Sequence, residues 1–374
     1  MRALPVNLVQ RLARPRIPAT QSSTSRSGRF TYIDALRGLA ACYVLVYHFA
    51  GVLTHDFAPG SLPQPLYFIL SHGWLGVEVF FVLSGFVISY SLRDAEVTPL
   101  YLGKFALRRS LRLDPPYWLT ILVTYFVMLW LSGPLGTGES LSETGLLVAN
   151  LLYANRILGC PAVVAVGWTL CLEIQLYLTY ILLLGLMQWL AARRCADSLA
   201  RALVFIPVVV LSLLIAYGVL PAPWRGLCCE YWYMFFLGVL ASWVTLRQIS
   251  GWWFFLALLT LGIAVCLRWD VRAVAASVTA LSIVLVGKMG RLSSFLDWPV
   301  LQHLGRISYS LYLVHTVVGW PLIAFCLRQL GGEPTLAQSI MLFLAATATS
   351  LIVAELLYYL VERPTLAMSK RVPM

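Results

Sequence analysis

Long runs of apolar residues recur throughout this 374-residue chain, and they constrain its fold more than any other feature. A helix needs about 20 mostly apolar residues to cross the roughly 30 Å hydrocarbon core of a bilayer. Only helices and closed β-barrels satisfy their own backbone hydrogen bonds in that environment. Barrel strands are short and alternate in polarity, whereas these runs are long and uninterrupted. The pattern therefore predicts an all-α integral membrane protein whose helices form one bundle.

The composition agrees with this class of protein. Only 11% of the residues are charged and 60% are hydrophobic, whereas soluble domains average about 25% charged residues. The net charge of +11 is interpreted as the positive-inside bias of a membrane protein. Nucleic-acid binding is not expected, because no basic cluster outside the apolar runs also carries exposed aromatic residues.

About ten transmembrane helices are predicted, with both termini in the cytosol. With this orientation, all but five of the 27 Lys and Arg residues lie on the cytosolic side, as the positive-inside rule requires. The predicted spans are 33–53, 66–92, 117–133, 163–190, 202–220, 226–246, 252–268, 271–288, 304–330 and 336–361. The five outer cations are Arg156, Arg225, Arg268, Arg272 and Arg328.

The chain divides into three regions. Residues 1–30 contain several arginines and no acidic residue, which predicts a disordered basic cytoplasmic tail next to the first span. Residues 31–364 form the membrane domain, and residues 365–374 form a second cytoplasmic tail. The largest outer loop is expected at 134–162. Cys160 and Cys228 could both face outward and form a disulfide, although a role as apolar packing residues is more typical of cysteine in such segments.

The first span carries two costly polar groups, Arg37 and His48. Eleven helical steps place His48 about 16 Å deeper than Arg37. Glu78 falls at a comparable depth if the first two spans are antiparallel, and a carboxylate there would orient His48 as a general base. The alternative is that these groups only satisfy one another in a structural core. The polar residues predicted inside spans, each of which should face the bundle interior, are His48, Glu78, Glu173, Glu230, His315 and Glu355.

An arginine cluster precedes the third span. Arg108, Arg109 and Arg112 recur at helical spacing, so either Arg108 or Arg109 shares a face with Arg112. Three cations beside a membrane could bind lipid headgroups, fix the topology, or hold the phosphates of a soluble ligand. The residues alone leave these alternatives open.

Six motifs in order resemble the membrane acyltransferase-3 family over residues 31–364. Two departures from the family pattern, Thr169 and Leu176, leave Glu173 in place. The matching segments are Arg37 to His48, G-V-E-V-F-F-V-L-S-G-F in the second span, R-R-S-L-R-L-D-P-P-Y-W at the arginine cluster, Gly167–Tyr177, Gly305–His315 and Glu362–Pro364.

The resemblance implies an O-acyltransferase of the bacterial inner membrane. Its donor would be acetyl-CoA or another acyl-CoA, its acceptor a glycan or lipid-linked sugar, and no metal would be needed. Arg108, Arg109 and Arg112 would hold the CoA phosphates, and Glu173 would line the acceptor side. His48, Arg37, Glu78 and Glu173 are the expected catalytic residues. Further candidates within the matched region are Asp34, Ser84, Tyr309, His315 and Glu362.

A second class of function uses the same residues differently. Intramembrane His and Glu also form proton relays, so a proton-coupled transporter or a flippase-like protein is the alternative. Transporters often contain inverted repeats, and no repeat is evident in this sequence. The acceptor, the acyl length, an acyl-histidine intermediate and possible homo-oligomers stay open.

Overall fold

The computed structural model describes residues 29–54, 63–132, 143–193, 195–224, 226–331 and 334–373. Every regular element within those ranges is helical, which confirms the all-α prediction for them. Most of the predicted N-terminal tail, the first part of the 134–162 loop and Arg225 lie outside the described residues.

The α-helices follow one another along the chain with short connections. Three stretches have other helical geometry: 3₁₀ turns at Gly73–Leu75 and Cys228–Tyr231, and a π-helical turn at Tyr358–Glu362. The α-helices are α1 Thr31–Thr54, α2 Gln64–Ser71, α3 Gly76–Ser91, α4 Pro99–Ser132, α5 Glu143–Leu151, α6 Asn155–Leu158, α7 Gly167–Ala192, α8 Asp197–Ala216, α9 Trp232–Thr245, α10 Gly251–Leu267, α11 Val271–Lys288, α12 Pro299–Leu330, α13 Leu336–Leu357 and α14 Arg363–Ser369.

Seven of the described helical segments are long and apolar enough to cross a membrane. All ten predicted spans coincide with helices, but α4, α9 and α10 are not among the seven segments. Two of these helices are short, with 14 residues in α9 and 17 in α10. The number ten therefore stays a prediction. The seven segments are Thr31–Gly51, Gly73–Ser91, Gly167–Ala192, Asp197–Ala216, Val271–Lys288, Pro299–Leu330 and Leu336–Ser369.

The arginine cluster is helical and not part of a loop. The sequence placed residues 93–116 in an inner loop, whereas α4 runs unbroken for 34 residues through Pro115 and Pro116. A helix of that length extends about 51 Å, well beyond the roughly 30 Å of hydrocarbon. The basic first half of α4 can therefore continue out of the membrane, which explains why the apolar pattern begins only near residue 117.

Several helix pairs run in the same direction. Gly38 packs on Gly305, and ten residues later on both helices His48 contacts His315, so α1 and α12 are parallel. Ser84 bonds Glu173, and farther along both segments the Val97 amide donates to Gln188, so α3 and α7 are also parallel.

α9 and α11 run parallel as well. Near the start of α9, Tyr233 lies within electrostatic range of Asp270 and Arg272 at the start of α11. Near the two helix ends, Thr245 contacts Gly287. The short helix α10 connects these two parallel neighbours.

Close helix contacts depend on glycine. A Cβ on Gly85 of α3 would overlap the Phe235 carbonyl oxygen, and a Cβ on Gly238 of α9 would overlap the Val82 carbonyl oxygen. These two glycines let the backbones of α3 and α9 touch, as small residues do in membrane helix packing.

We predict that Gly238→Ala destabilises the fold. The added methyl group overlaps backbone, and overpacking of this kind costs about 1–3 kcal/mol or more. Gly262→Ala is the matched control, because Gly262 is also inside a helix but meets nothing within 4 Å. Both changes share the gain of about 1 kcal/mol in helix propensity. In thermal unfolding of the purified proteins, the melting temperature of Gly238→Ala should therefore be well below that of Gly262→Ala. Equal melting temperatures would contradict the α3–α9 contact.

Candidate functional site

A narrow cavity of about 80 Å³ lies between α1, α3, α4, α7 and α12. It brings together residues from all of the matched motifs except the last. Six of the residues singled out in the sequence line it: Arg37, Ser84, Arg109, Arg112, Glu173 and Tyr309. Further polar residues that line it are Thr169, Tyr177, Ser308 and Tyr312.

Three arginines give the cavity an excess of positive charge. Arg109 and Arg112 are three residues apart on α4 and share the inner face, together with Arg37 from α1. Arg108 does not line the cavity, so the structure selects Arg109 as the neighbour of Arg112. Within the described residues none of the three cavity arginines forms an ion pair. An unpaired cluster of guanidinium groups is suited to an anionic ligand.

Glu173 is the one carboxylate that lines the cavity. The Ser84 hydroxyl donates to its Oε1 atom at 3.1 Å, and the Tyr177 hydroxyl donates to the same oxygen. The Arg109 guanidinium lies 4.7 Å from the centre of the Tyr177 ring. The sequence placed Glu173 on the acceptor side, whereas the structure places it beside the arginines, because α3 and α7 run parallel and align Ser84 with Glu173.

Tyr309 and Tyr312 of α12 form another wall of the cavity. The Tyr309 hydroxyl donates to the Leu113 carbonyl at 2.7 Å, which ties α12 to α4. The Tyr312 hydroxyl lies 2.8 Å from Thr169 Oγ1. The Tyr312 ring centre is also 5.9 Å from that of His315. Tyr312 therefore connects the arginine cavity to a pair of histidines.

His48 and His315 are hydrogen-bonded to each other. The His48 Nδ1 atom lies 2.8 Å from the His315 Nε2 atom, and the His315 side chain is completely buried. On the far side of the His315 ring, Nδ1 lies 3.1 Å from the Leu311 carbonyl oxygen. The Trp320 indole donates to the His48 carbonyl at 3.2 Å and packs edge-on against the His48 ring.

These partners assign the tautomers of both rings. A carbonyl oxygen only accepts, so His315 Nδ1 carries a proton and, in the neutral ring, His315 Nε2 is an acceptor. His48 Nδ1 must then be the donor between the rings, which leaves His48 Nε2 unprotonated. A nitrogen held in that state can take a proton from a hydroxyl group. His315 thus supports His48 in the way that carboxylates and carbonyls orient histidines at other sites.

The expected pairing of His48 with Glu78 is wrong. The hydrogen-bond partner of the His48 ring is His315, because α1 packs along α12 for ten residues. Glu78 lies in the first turn of α3, where the helix dipole favours a carboxylate, and it lies within electrostatic range of Arg272 and Asp270. Its Oε2 atom is buried and has no hydrogen-bond partner among the described residues.

Two further candidates lie near the cavity but do not line it. Asp34 forms an ion pair with Arg29 at the start of α1. Glu362 is buried in the π-helical turn, accepts a hydrogen bond from Ser310 at 2.6 Å, and lies within electrostatic range of Arg37 and Arg112. The matched Glu362–Pro364 motif therefore places a carboxylate behind the arginines.

Two of the other polar residues have ion-pair partners in the structure. Glu230 pairs with Arg156 at 3.3 Å, and Glu355 pairs with His303. Cys160 and Cys228 are both free thiols, and burial raises the pKa of the Cys160 thiol above its usual value. Among the described residues no group of three or more His, Cys, Asp and Glu side chains could hold a metal ion.

Sequence reasoning missed three cavity residues that helical spacing could have found. Tyr177 lies four residues after Glu173, and Tyr312 lies three residues before His315, so each shares a helix face with a residue already identified. Thr169 lies four residues before Glu173 and was noted only as a departure from the family pattern.

Comparisons with known proteins identify the family of this chain. A family model described as an acyltransferase domain matches residues 30–359. The chain is 28% identical to Acyltransferase MdmB of Streptomyces mycarofaciens, over 92% of this chain and 93% of that protein. It is 25% identical to Nodulation protein 10 of Rhizobium leguminosarum bv. viciae, over 81% and 86%.

A third relative matches a shorter region. Peptidoglycan O-acetyltransferase OatA of Listeria monocytogenes is 26% identical over 51% of this chain, which corresponds to 28% of that protein. No solved structure gives a significant match. Because the family model covers most of the chain and includes the arginine cavity and both histidines, the chain belongs to the acyltransferase-3 family of membrane acyltransferases.

Proposed function

We propose that this protein transfers an acetyl group from cytosolic acetyl-CoA to a sugar hydroxyl of a cell-surface polysaccharide or lipid-linked glycan, in the bacterial inner membrane. The observation that carries the proposal is the connection between two sites. Within the described residues, a cavity lined by arginines without ion pairs is connected through Tyr312 to a histidine pair. The hydrogen bonds of that pair leave the Nε2 atom of His48 unprotonated.

The donor fits the charge of the cavity. CoA carries several phosphates, and Arg37, Arg109 and Arg112 offer guanidinium donors that match phosphate oxygens. The cavity of about 80 Å³ is smaller than the roughly 300–1,000 Å³ of most ligand pockets, so the helices must separate to admit the long, thin pantetheine arm. Glu173 is held in place by hydrogen bonds from Ser84 and Tyr177. Its carboxylate is a hydrogen-bond acceptor beside the arginines, and it can orient the amide groups of the pantetheine arm.

The transfer step requires one base. His48 Nε2 takes the proton of the acceptor hydroxyl while the oxygen attacks the thioester carbonyl. The C–S bond then breaks, the acetyl group becomes an ester of the sugar, and the CoA sulfur leaves with the proton returned by His48. Attack by His48 itself, with a covalent acetyl-histidine, is the competing route; the His48–His315 bond supports the base role because it leaves Nε2 unprotonated.

The acceptor class rests on the relatives. The name of the Listeria protein describes it as an O-acetyltransferase that acts on peptidoglycan, a polymer with glycan strands. The outer end of the bundle offers the aromatic residues Trp168 and Tyr231, whose ring centres are 6.3 Å apart, beside the Arg156–Glu230 pair. Aromatic faces next to polar groups suit a sugar, which has both apolar faces and hydroxyl groups.

The proposed topology has ten membrane crossings and places both termini in the cytosol. Two membrane-spanning helices can run parallel only if an odd number of other crossings lies between them along the chain. The parallel pair α9 and α11 therefore supports a crossing by α10, and the parallel pair α3 and α7 supports a crossing by α4. The parallel pair α1 and α12 agrees with seven crossings between them.

Cysteine labelling tests the crossing by α10. In a protein whose eight cysteines are all replaced by Ser, we expect Trp269→Cys to react with an impermeant maleimide on intact cells, and Gln248→Cys to react only after the membrane is opened. These positions lie at opposite ends of α10. Reaction of both from the same side would show that α10 does not cross, and the ten-span topology would be wrong.

Removal of His48 tests the reaction. With labelled acetyl-CoA and membranes that contain the acceptor glycan, His48→Ala should lose at least about a hundredfold of the transfer rate, as expected for loss of a general base. His72→Ala is the matched control, because His72 lies outside both the cavity and the histidine pair. If His48→Ala moved substrate across the membrane as well as wild type, and wild type labelled no glycan, the transporter alternative would replace the enzyme.

The role of His315 follows from the same assay. His315→Ala should lower the rate less than His48→Ala, and the double variant should be no slower than His48→Ala alone, because His315 acts through His48. Additive losses would contradict a coupled pair.

Arg109 and Arg108 form a matched pair for donor binding. Arg109→Gln should raise the KM for acetyl-CoA by about tenfold to a hundredfold, since a hydrogen bond to a charged group contributes about 1.5–3 kcal/mol. Arg108→Gln should leave it near wild type, because Arg108 does not line the cavity. If the two variants have the same KM, the cluster serves the topology and not the donor.

A further inference from the structure

A second concavity lies between α8, α9 and α10, on the opposite side of α9 from α3. It is a groove of about 670 Å³, far larger than the arginine cavity, and most of its lining is apolar. None of the residues of the proposed acyl-transfer site lines it. The groove is therefore separate from the proposed acyl-transfer site.

The groove runs along most of α8. Its lining extends from Asp197 to Leu213 on α8, from Tyr233 to Trp243 on α9, and from Ser250 to Leu261 on α10. Sixteen helical steps on α8 span about 24 Å, and eleven steps from Ser250 to Leu261 span about 16 Å. One end therefore lies at the level where α8 and α10 begin, and the groove extends from there far into the roughly 30 Å of hydrocarbon.

The end at which α8 and α10 begin is polar and positively charged. The Arg201 guanidinium lies 4.8 Å from the centre of the Trp243 ring, and its Nη1 atom donates to the Gln248 carbonyl at 3.1 Å. Its Nε atom is buried and has no partner among the described residues. Asp197 also lines this end, one turn before Arg201, but the described residues include no ion pair between them.

Neighbouring groups reinforce this positive end. The Lys288 ammonium lies beside Gly251, the first residue of α10. Trp253 lines the groove at the same level, as tryptophans do where hydrocarbon meets headgroups. A groove with a cation at one end and apolar walls along the rest of its length matches one kind of amphiphile, a phosphate joined to an acyl chain.

We propose that this groove holds one anionic glycerophospholipid of the adjacent leaflet, with its phosphate on Arg201 and an acyl chain between α8 and α10. The bound lipid fills the space that the splayed helices leave beside α9. If the proposed topology holds, the leaflet is the cytosolic one; the binding itself does not depend on that topology or on the acyl-transfer reaction.

Native mass spectrometry of the full-length protein, released from nanodiscs of phosphatidylcholine with a minority of phosphatidylglycerol, tests this site. Wild type should retain one phosphatidylglycerol. Arg201→Gln should reduce that retention several-fold, because the phosphate loses its cation. Ala257→Trp, which fills the groove, should reduce the retention of both lipids.

Two controls separate the groove from general effects on folding. Arg193→Gln removes another arginine that packs on a tryptophan, Trp189, outside the groove. Leu203→Trp adds the same bulk to an exposed position of α8 that does not line the groove. Both should retain lipid like wild type. Equal retention by all variants would overturn the proposal, and so would an acyl-CoA that displaces the lipid and itself depends on Arg201.

Discussion

The parallel contact between α1 and α12 is the interaction on which the site depends. Gly38 and Gly305 allow the two backbones to approach, with a Cβ on Gly38 only 2.8 Å from the Gly305 nitrogen. Ten residues farther along both helices, the same alignment sets His48 against His315. Because both helices rise by about 1.5 Å per residue, equal spacing on each keeps the histidines level. The contact thus fixes the partner of the proposed base and, through it, the tautomer.

The charge of the arginine cavity is the second constraint. Three guanidinium groups around a narrow space repel one another, and burial of unpaired charge costs free energy. Glu173 lines the cavity and Glu362 acts from behind it on Arg37 and Arg112, so the acidic groups only partly offset the cations. Because the cavity keeps an excess of positive charge, the binding of an anion stabilises it more than the binding of a neutral ligand. The π-helical turn at Tyr358–Glu362, just before Pro364, belongs to this arrangement because it carries Glu362 to Ser310.

The sequence predicted the class of the fold and most of the cavity, since these follow from local patterns. Apolar runs locate helices, and the spacing of Arg109 and Arg112 places them on one helix face. The sequence failed where the answer depends on which helices are neighbours. The sequence ranked His315 below Glu78 because it assumed that Glu78 and His48 lie at comparable depths. In the structure Gly73 packs on Tyr43 and Gly76 packs on Ala40, so Glu78 lies about two to three helical turns from the level of His48. Likewise, α4 was divided into a loop and a span because apolar periodicity does not detect a helix that continues out of the hydrocarbon.

The eleven-residue separation of Arg37 and His48 acquires a physical meaning from these contacts. A rigid helix holds the two groups about 16 Å apart, so one end of an extended ligand can stay on the arginines while its other end reaches the histidine. In the proposed reaction with acyl-CoA, a shorter separation would place the phosphates, with their hydration, near the base, and a longer one would leave the thioester short of it. Tyr312 occupies the interval on α12, between the cavity and His315. Under that proposal the motif sets a fixed distance between donor binding and acyl transfer, and its two residues need not touch.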